Sequence, residues 1–142
     1  MRIAMLVLVA ALGLAACGPS GPELAVDDAW VRPAPPGARM TAAYLTITNN
    51  GAETAVLTGV SSPRFGDVEV HTTEMTDGVA RMRHQPRVEI PARGRVTMAP
   101  GGLHVMLMQP REAMEAQDSV PLELRFEDGR RLTVDAPVRQ SP

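Results

Sequence analysis

The amino-acid sequence predicts an all-β fold, either a β-sandwich or a β-barrel. Short segments in which apolar and polar residues alternate follow one another along most of the chain, and this alternation is typical of half-buried strands. Turn signals rich in Pro, Gly, Asn and Asp separate the segments, among them PAPPGA, TDGV and EDGR. No stretch shows a convincing helical period. Many short strands at this spacing favour a two-layer or barrel β domain.

Nine strands are predicted, and the alternation within them indicates which face is buried. They cover residues 24–31, 41–48, 54–60, 66–72, 79–84, 94–98, 103–108, 120–126 and 131–137. In the fourth of these strands Val68 and Val70 share one face, so His71 is expected on the opposite, outward face. The segment 111–118 can hold one helical turn in a crossover between strands.

The N-terminus has the layout of an export signal and is not expected to be part of the fold. MRIAMLVLVAALGLAAC has one Arg, an apolar run too short to span a membrane, and then small residues. LAAC resembles a bacterial lipobox, which implies cleavage before Cys17 and lipid on its sulfur; an ordinary secretory signal is the alternative. We therefore expect a periplasmic, lipid-anchored protein, with a lipoprotein signal peptide (1–16), a lipidated cysteine and tether (17–23), a β domain (24–138) and a tail (139–142).

Composition argues against several classes of function. The net charge is −2 and only four residues are aromatic; no basic run is present, so no nucleic-acid partner is expected. The single cysteine, Cys17, leaves the mature domain without a disulfide or a free thiolate once it is acylated. No serine elbow, triad-like order or placed pair of carboxylates points to an enzyme. Any metal site in the domain must use ligands other than cysteine.

A predicted hairpin brings imidazole and thioether side chains together. Asp77-Gly78 within TDGV is a strong signal for a two-residue turn. If the flanking residues pair, His71 lies opposite His84, and Met82 is a diagonal neighbour of His71 on the same face. Diagonal neighbours are roughly 7–8 Å apart, within reach of long side chains.

The strand within GGLHVMLMQP presents a second set of such groups. Its odd-numbered positions carry Leu or Val and are expected in the core, so His104, Met106 and Met108 share the other face. Residues two apart on a strand are separated by roughly 6.6 Å. His104 and Met106 can therefore close on one ion.

Imidazole combined with thioether is informative about the metal. Soft thioethers select soft ions, of which Cu(I) is the common biological one. Zinc prefers thiolate, imidazole or carboxylate ligands, and calcium and magnesium require oxygen clusters. The residues therefore favour a copper site, and a neutral His/Met site can release its ion to a thiolate-rich partner.

The spacing of these residues, H-x10-M-x21-H-x-M, matches the signature of the PCuAC family of periplasmic copper chaperones. The stretches DGVARMRHQPRVEIPARGRVTMAPGGLHVMLM and AAYLTITNNG are also similar to that family. The resemblance implies a cupredoxin-like Greek-key β-barrel that binds one Cu(I) at an exposed site. By position, it implies the ligands His71, Met82, His104 and Met106. The Met that follows the first His in some members is Thr72 here.

The resemblance also implies partners. It implies delivery of copper toward the CuA centre of cytochrome c oxidase, alone or with Sco-type copper proteins. Cu(II) at the same site or at a second site is left open. His84 and Met108 are candidate auxiliary residues, His84 as a Cu(II) ligand or as support for the primary ligands, and Met75 is a weaker spare. The methionines expected to act only as packing are Met40, Met98 and Met114.

Three other functions remain alternatives. A copper-buffering or resistance lipoprotein would share the site but have no oxidase client. An electron-transfer cupredoxin would share the fold, but blue copper sites use a cysteine ligand, which the mature domain lacks. A structural lipoprotein would use the Met/His face to contact a partner and would bind no metal.

Overall fold

The computed structural model describes residues 22–140, which form ten β-strands and no helix. The predicted signal peptide and the lipidated cysteine lie outside the described residues. The strands are β1 (Leu24–Val31), β2 (Met40–Asn49), β3 (Ala55–Ser61), β4 (Phe65–Thr76), β5 (Val79–His84), β6 (Val88–Ile90), β7 (Gly94–Met98), β8 (Leu103–Pro110), β9 (Ser119–Phe126) and β10 (Arg131–Pro137). Among residues 22–140 no helix is long and apolar enough to cross a membrane.

The strands form two antiparallel sheets. The first sheet has the order β1-β2-β8-β4-β5, and β7 also pairs with β2. The second sheet has the order β10-β9-β3-β6. A parallel bridge between Val31 and Val138 links the two. The predicted all-β fold is confirmed, and so is each of the nine predicted strands.

β6 was not predicted from the sequence, and the helical turn predicted at 111–118 is wrong, because no helix forms there. β6 has only three residues, too few for alternation to be visible. In a helix the amide of Gln117 would bond to the carbonyl of Ala113. Instead the amide of Gln117 donates to the carbonyl of Val138. The carbonyl of Ala113 accepts a hydrogen bond from the Arg64 guanidinium at 3.2 Å. Tertiary hydrogen bonds therefore hold this crossover in a non-helical conformation.

The core lies between the two sheets. It includes Val105 and Leu107 of β8, Val70 of β4 and Leu122 of β9, all fully or nearly fully buried. Val68 packs partly buried against this core. The predicted inward faces of these strands are therefore confirmed, and His71 lies on the opposite face of β4.

The other face of the first sheet, which we call the outer face, points away from the core. It is formed by alternate residues of β2, β8, β4 and β5. One edge of β2 is divided between two partners, because its first residues pair with β8 and its last with β7. Its other edge pairs with β1, from Leu24 opposite Asn49 to Val31 opposite Ala43. β1 therefore begins at one end of the sheet and ends beside the first residues of β2.

Candidate metal centre

Strand register places all three histidines of the chain in one row across the outer face. His71 on β4 pairs with His104 on β8 and, on its other side, with His84 on β5. The ring centroids of His71 and His104 are 6.0 Å apart, and those of His71 and His84 are 5.9 Å apart. The hairpin register predicted from the turn is confirmed, with Thr76 opposite Val79 and Met82 opposite Thr73.

His104 is buried and has one nitrogen without a partner. The side chain is 3% exposed. Its Nδ1 lies 2.9 Å from the carbonyl oxygen of Gly102, which can only accept, so Nδ1 carries the hydrogen. Nε2 then carries a lone pair, and it is buried without a hydrogen-bond partner. Since burying such a group without a partner is unfavourable, the arrangement is that of an atom kept free for a ligand.

His71 has the converse arrangement. Its Nε2 lies 2.7 Å from Oε2 of Glu69, while its Nδ1 is buried without a partner. The hydrogen bond from His71 is the main reason that the pKa of Glu69 is lowered. Glu69 is therefore a carboxylate and accepts the hydrogen from Nε2. Nδ1 of His71 and Nε2 of His104 are thus two free lone pairs on neighbouring strands.

Two thioethers accompany these nitrogens. Met106 lies two residues along β8 from His104 and is 7% exposed, whereas Met82 is 59% exposed. Both line one cavity of about 290 Å³ together with His104 and Thr73. Residues 32–35, which follow β1, form part of the wall. The cavity therefore has two buried candidate metal ligands, His104 and Met106, on its floor and the exposed thioether of Met82 at its rim.

The burial of His104 and Met106 was not expected for an exposed site. Both residues point away from the intersheet core, as predicted, but Arg32 and the following prolines lie beside them in the cavity wall. Tyr44 is also part of the wall, and its ring packs against that of Trp30, which does not line the cavity, with ring centroids 4.6 Å apart. The Arg32 guanidinium covers the Tyr44 ring at 5.4 Å, which is the geometry of a cation–π contact.

Met40 is not core packing, contrary to expectation. It is 57% exposed and lines the same cavity as Met82 and Met106. The register places Met40 opposite Met108, so both share the outer face. Ala42, two residues further along β2, pairs with Met106, so Met40 also lies on the face that carries Met106.

The remaining methionines are placed as follows. Met98 is buried in the core, as expected for packing. Met114 packs partly buried against the core. Met75 is exposed on the hairpin and does not line the cavity.

The donor set is suited to a soft ion. In the part of the chain that the structure describes, no group of three or more His, Cys, Asp or Glu side chains is arranged to hold a metal. A metal centre on this face therefore depends on thioethers, and two neutral imidazoles with thioethers favour a soft, low-charge cation.

Comparison with known proteins gives the family. The model of the family described as "Putative lipoprotein LpqE-like" matches residues 24–138. A curated relative, "Putative lipoprotein Lxx21020" from Leifsonia xyli subsp. xyli, is 36% identical over 115 residues, which cover 80% of this chain and 68% of the relative.

Two solved structures have a similar fold. One is the copper-bound PCuAC domain from PmoF2, with a TM-score of 0.71, 26% identity, and coverage of 84% of this chain and 95% of that one. The other is the solution structure of CuI-DR1885 from Deinococcus radiodurans, with a TM-score of 0.65, 37% identity, and coverage of 80% of this chain and 76% of that one. The fold is therefore cupredoxin-like, and, because the family model spans all ten strands, the chain belongs to the LpqE-like family of lipoproteins.

Proposed function

We propose that this protein is a periplasmic copper carrier that binds one Cu(I) ion through His71, Met82, His104 and Met106. The observation that carries the proposal is the pair of buried imidazole nitrogens without partners on rings 6.0 Å apart. Each ring is held by its other nitrogen, so both lone pairs are preorganised. Cu(I) would satisfy both of them.

The chemistry of the set supports Cu(I) as the cargo. Two imidazoles and two thioethers carry no charge, so the bound site has the single positive charge of the ion. Thioether sulfur favours Cu(I) over harder ions. Copper in the PCuAC domain from PmoF2 and Cu(I) in DR1885 support the same assignment for this chain.

The exposure of the ligands supports a carrier. Met82 lies on the rim and is 59% exposed, while His104 and Met106 lie on the cavity floor. A partner's thiolate can displace Met82 first and then take the ion by stepwise ligand exchange, because thiolate binds Cu(I) more strongly than a thioether does. Copper stays Cu(I) throughout, so no electron is needed.

We further propose delivery toward the CuA centre of cytochrome c oxidase, alone or with a Sco-type protein, from a lipid anchor at Cys17. Membership in a lipoprotein family supports the anchor. The client is tested by oxidase activity in a deletion strain grown with and without added copper. Loss of activity that copper restores supports delivery, whereas unchanged activity would favour copper buffering.

The proposed site is tested by Cu(I) titration of the mature protein against a chromophoric chelator, under reducing and anaerobic conditions. We expect one equivalent to bind, and at least tenfold weaker binding in His104→Ala and in Met106→Ala. Met75→Leu is the matched control, because it removes an exposed thioether that does not line the cavity. No stoichiometric binding, or binding indifferent to both alanine substitutions, would overturn the proposal.

A further inference from the structure

We propose that Glu69 is a positioning residue, whose carboxylate holds His71 in a single tautomer and so presents Nδ1, not Nε2, to the ion. This inference rests on the proposed copper site. It concerns a residue outside the His/Met set, with a carboxylate that contacts the proposed ligand His71.

The strand geometry brings the two side chains together. Glu69 and His71 are two residues apart on β4 and therefore share the outer face. Their partners on β8 are Met106 and His104, so Glu69 lies beside the proposed site. The His71 and Glu69 side chains are 17% and 35% exposed, which makes their contact at 2.7 Å partly shielded from water.

The contact between Glu69 and His71 determines which nitrogen of His71 carries the hydrogen. A carboxylate can only accept, so Nε2 of His71 must carry the hydrogen. In the neutral ring the lone pair then lies on Nδ1, the atom that is buried without a partner. His104 is oriented in the opposite sense, since a backbone carbonyl holds its Nδ1 and leaves Nε2 free. The two imidazoles are therefore presented through different nitrogens, one fixed by the backbone and the other by a side chain.

The difference between these two supports has a functional consequence. The carbonyl of Gly102 that fixes His104 belongs to the backbone, whereas the group that fixes His71 can be removed by substitution. A carboxylate behind a metal-bound imidazole fixes the ring and raises its basicity, and loss of such a partner lowers metal affinity by about 10–100-fold. Glu69 also places a negative charge beside a centre that becomes cationic when loaded.

The test uses Glu69→Ala, Glu69→Gln and the control Glu74→Gln in the mature protein. Glu74 lies on the same strand but on the opposite face, where its carboxylate forms an ion pair with Arg83 at 3.1 Å. The first readout is ¹⁵N NMR of the imidazole nitrogens without metal. We expect His71 of the wild type and of Glu74→Gln to be protonated at Nε2, and Glu69→Ala to show a mixture of both tautomers.

The second readout is Cu(I) affinity. We expect a 10–100-fold loss in Glu69→Ala and a smaller loss in Glu69→Gln, because the amide oxygen can still accept from Nε2. A purely structural role for Glu69 would lower the unfolding temperature and leave the tautomer unchanged.

The inference is overturned if wild-type His71 is protonated at Nδ1, or if Glu69→Ala changes neither the tautomer nor the affinity. Failure of the wild type to bind Cu(I) would instead overturn the proposed function. The tautomer of the metal-free protein distinguishes the two failures, since it is measured without copper.

Discussion

At the scale of single residues, the proposed site lowers the free energy of unfolding of the metal-free protein. His104 is the residue that contributes most to this loss. Its Nε2 is buried without a partner, which is unfavourable by about 1–3 kcal/mol for a typical polar group. The carbonyl of Gly102, which accepts from its Nδ1, also accepts from the amide of Thr73. Removing the imidazole therefore leaves no new unpaired group on the backbone.

We predict that His104→Leu stabilises the metal-free protein by about 1 kcal/mol, because an apolar side chain of similar size removes the unpaired nitrogen. The same change should abolish the stabilisation that Cu(I) gives the wild type. Urea unfolding with and without Cu(I) measures both effects. A metal-free variant less stable than the wild type would contradict this account of His104.

At the scale of elements, the β4–β5 hairpin carries Met82 beyond the body of the sheet. β8 pairs with β4 only as far as Thr72, and the amide of Thr73 still donates to the carbonyl of Gly102. From Glu74 onward the strand pairing of the hairpin is between its own two strands. Every residue of β5 is exposed. A two-stranded ribbon is marginally stable by itself, which makes the position of Met82 depend on the turn. Asp77 and Gly78 both have positive φ, 54° and 75°, as a type I′ turn requires.

We predict that Gly78→Ala weakens Cu(I) binding by about fivefold. An L-residue with positive φ costs about 1 kcal/mol, and here the cost falls on the hairpin that presents Met82. Gly129→Ala is the matched control: Gly129 has φ 90°, and a Cβ at either glycine meets nothing within 4 Å, but Gly129 lies in the β9–β10 turn of the other sheet. Chelator competition measures the affinities. Equal effects of the two substitutions on affinity would show that the hairpin does not position a ligand.

At the scale of the whole molecule, ion pairs join charged residues that lie in the connections between strands. The Arg64 guanidinium donates to the carboxylate of Asp118 at 3.0 Å and to the backbone carbonyls of Ala113 and Ser119. The pKa of Asp118 is lowered by the hydrogen bond from the backbone amide of Glu115 and then by Arg64. Arg130 likewise lowers the pKa of Asp128, and Arg87 lowers that of Glu127.

We predict that the metal-free protein loses stability as the pH falls below about 4.5. The ordinary values are 4.5 for glutamate and 3.8 for aspartate. Because the folded pKa values lie below these, the unfolded chain takes up protons first, and the stabilisation present above this range is lost as the pH falls through the folded values. Thermal unfolding from pH 7 to pH 3 measures the loss. In Asp118→Asn the unfolding temperature should fall less steeply with pH. A fall as steep as that of the wild type would exclude a contribution from the Asp118 carboxylate and its contact with Arg64.

The sequence predicted the parts of the structure that depend on local pattern. Alternation predicted nine strands, and the Asp77-Gly78 turn predicted the register that pairs His71 with His84, because a two-residue turn leaves no freedom in pairing. The burial of His104 could not be predicted in this way. His104 shares its cavity with residues 32–35, which are distant in sequence and carry no periodic signal. The exposure of Met40 was missed for the same reason, since its neighbours across the sheet lie more than sixty residues away.

The direction of β1 has a practical consequence. β1 starts opposite Asn49 and ends opposite Ala43, while the cavity lies beside the first residues of β2. Six residues of strand separate these two levels, about 20 Å. If the protein were attached to a surface through the chain that precedes Leu24, the attachment would lie at the end of the sheet remote from the cavity. The cavity lined by His104, Met82 and Met106 would then face away from that surface, where a protein in solution can reach it.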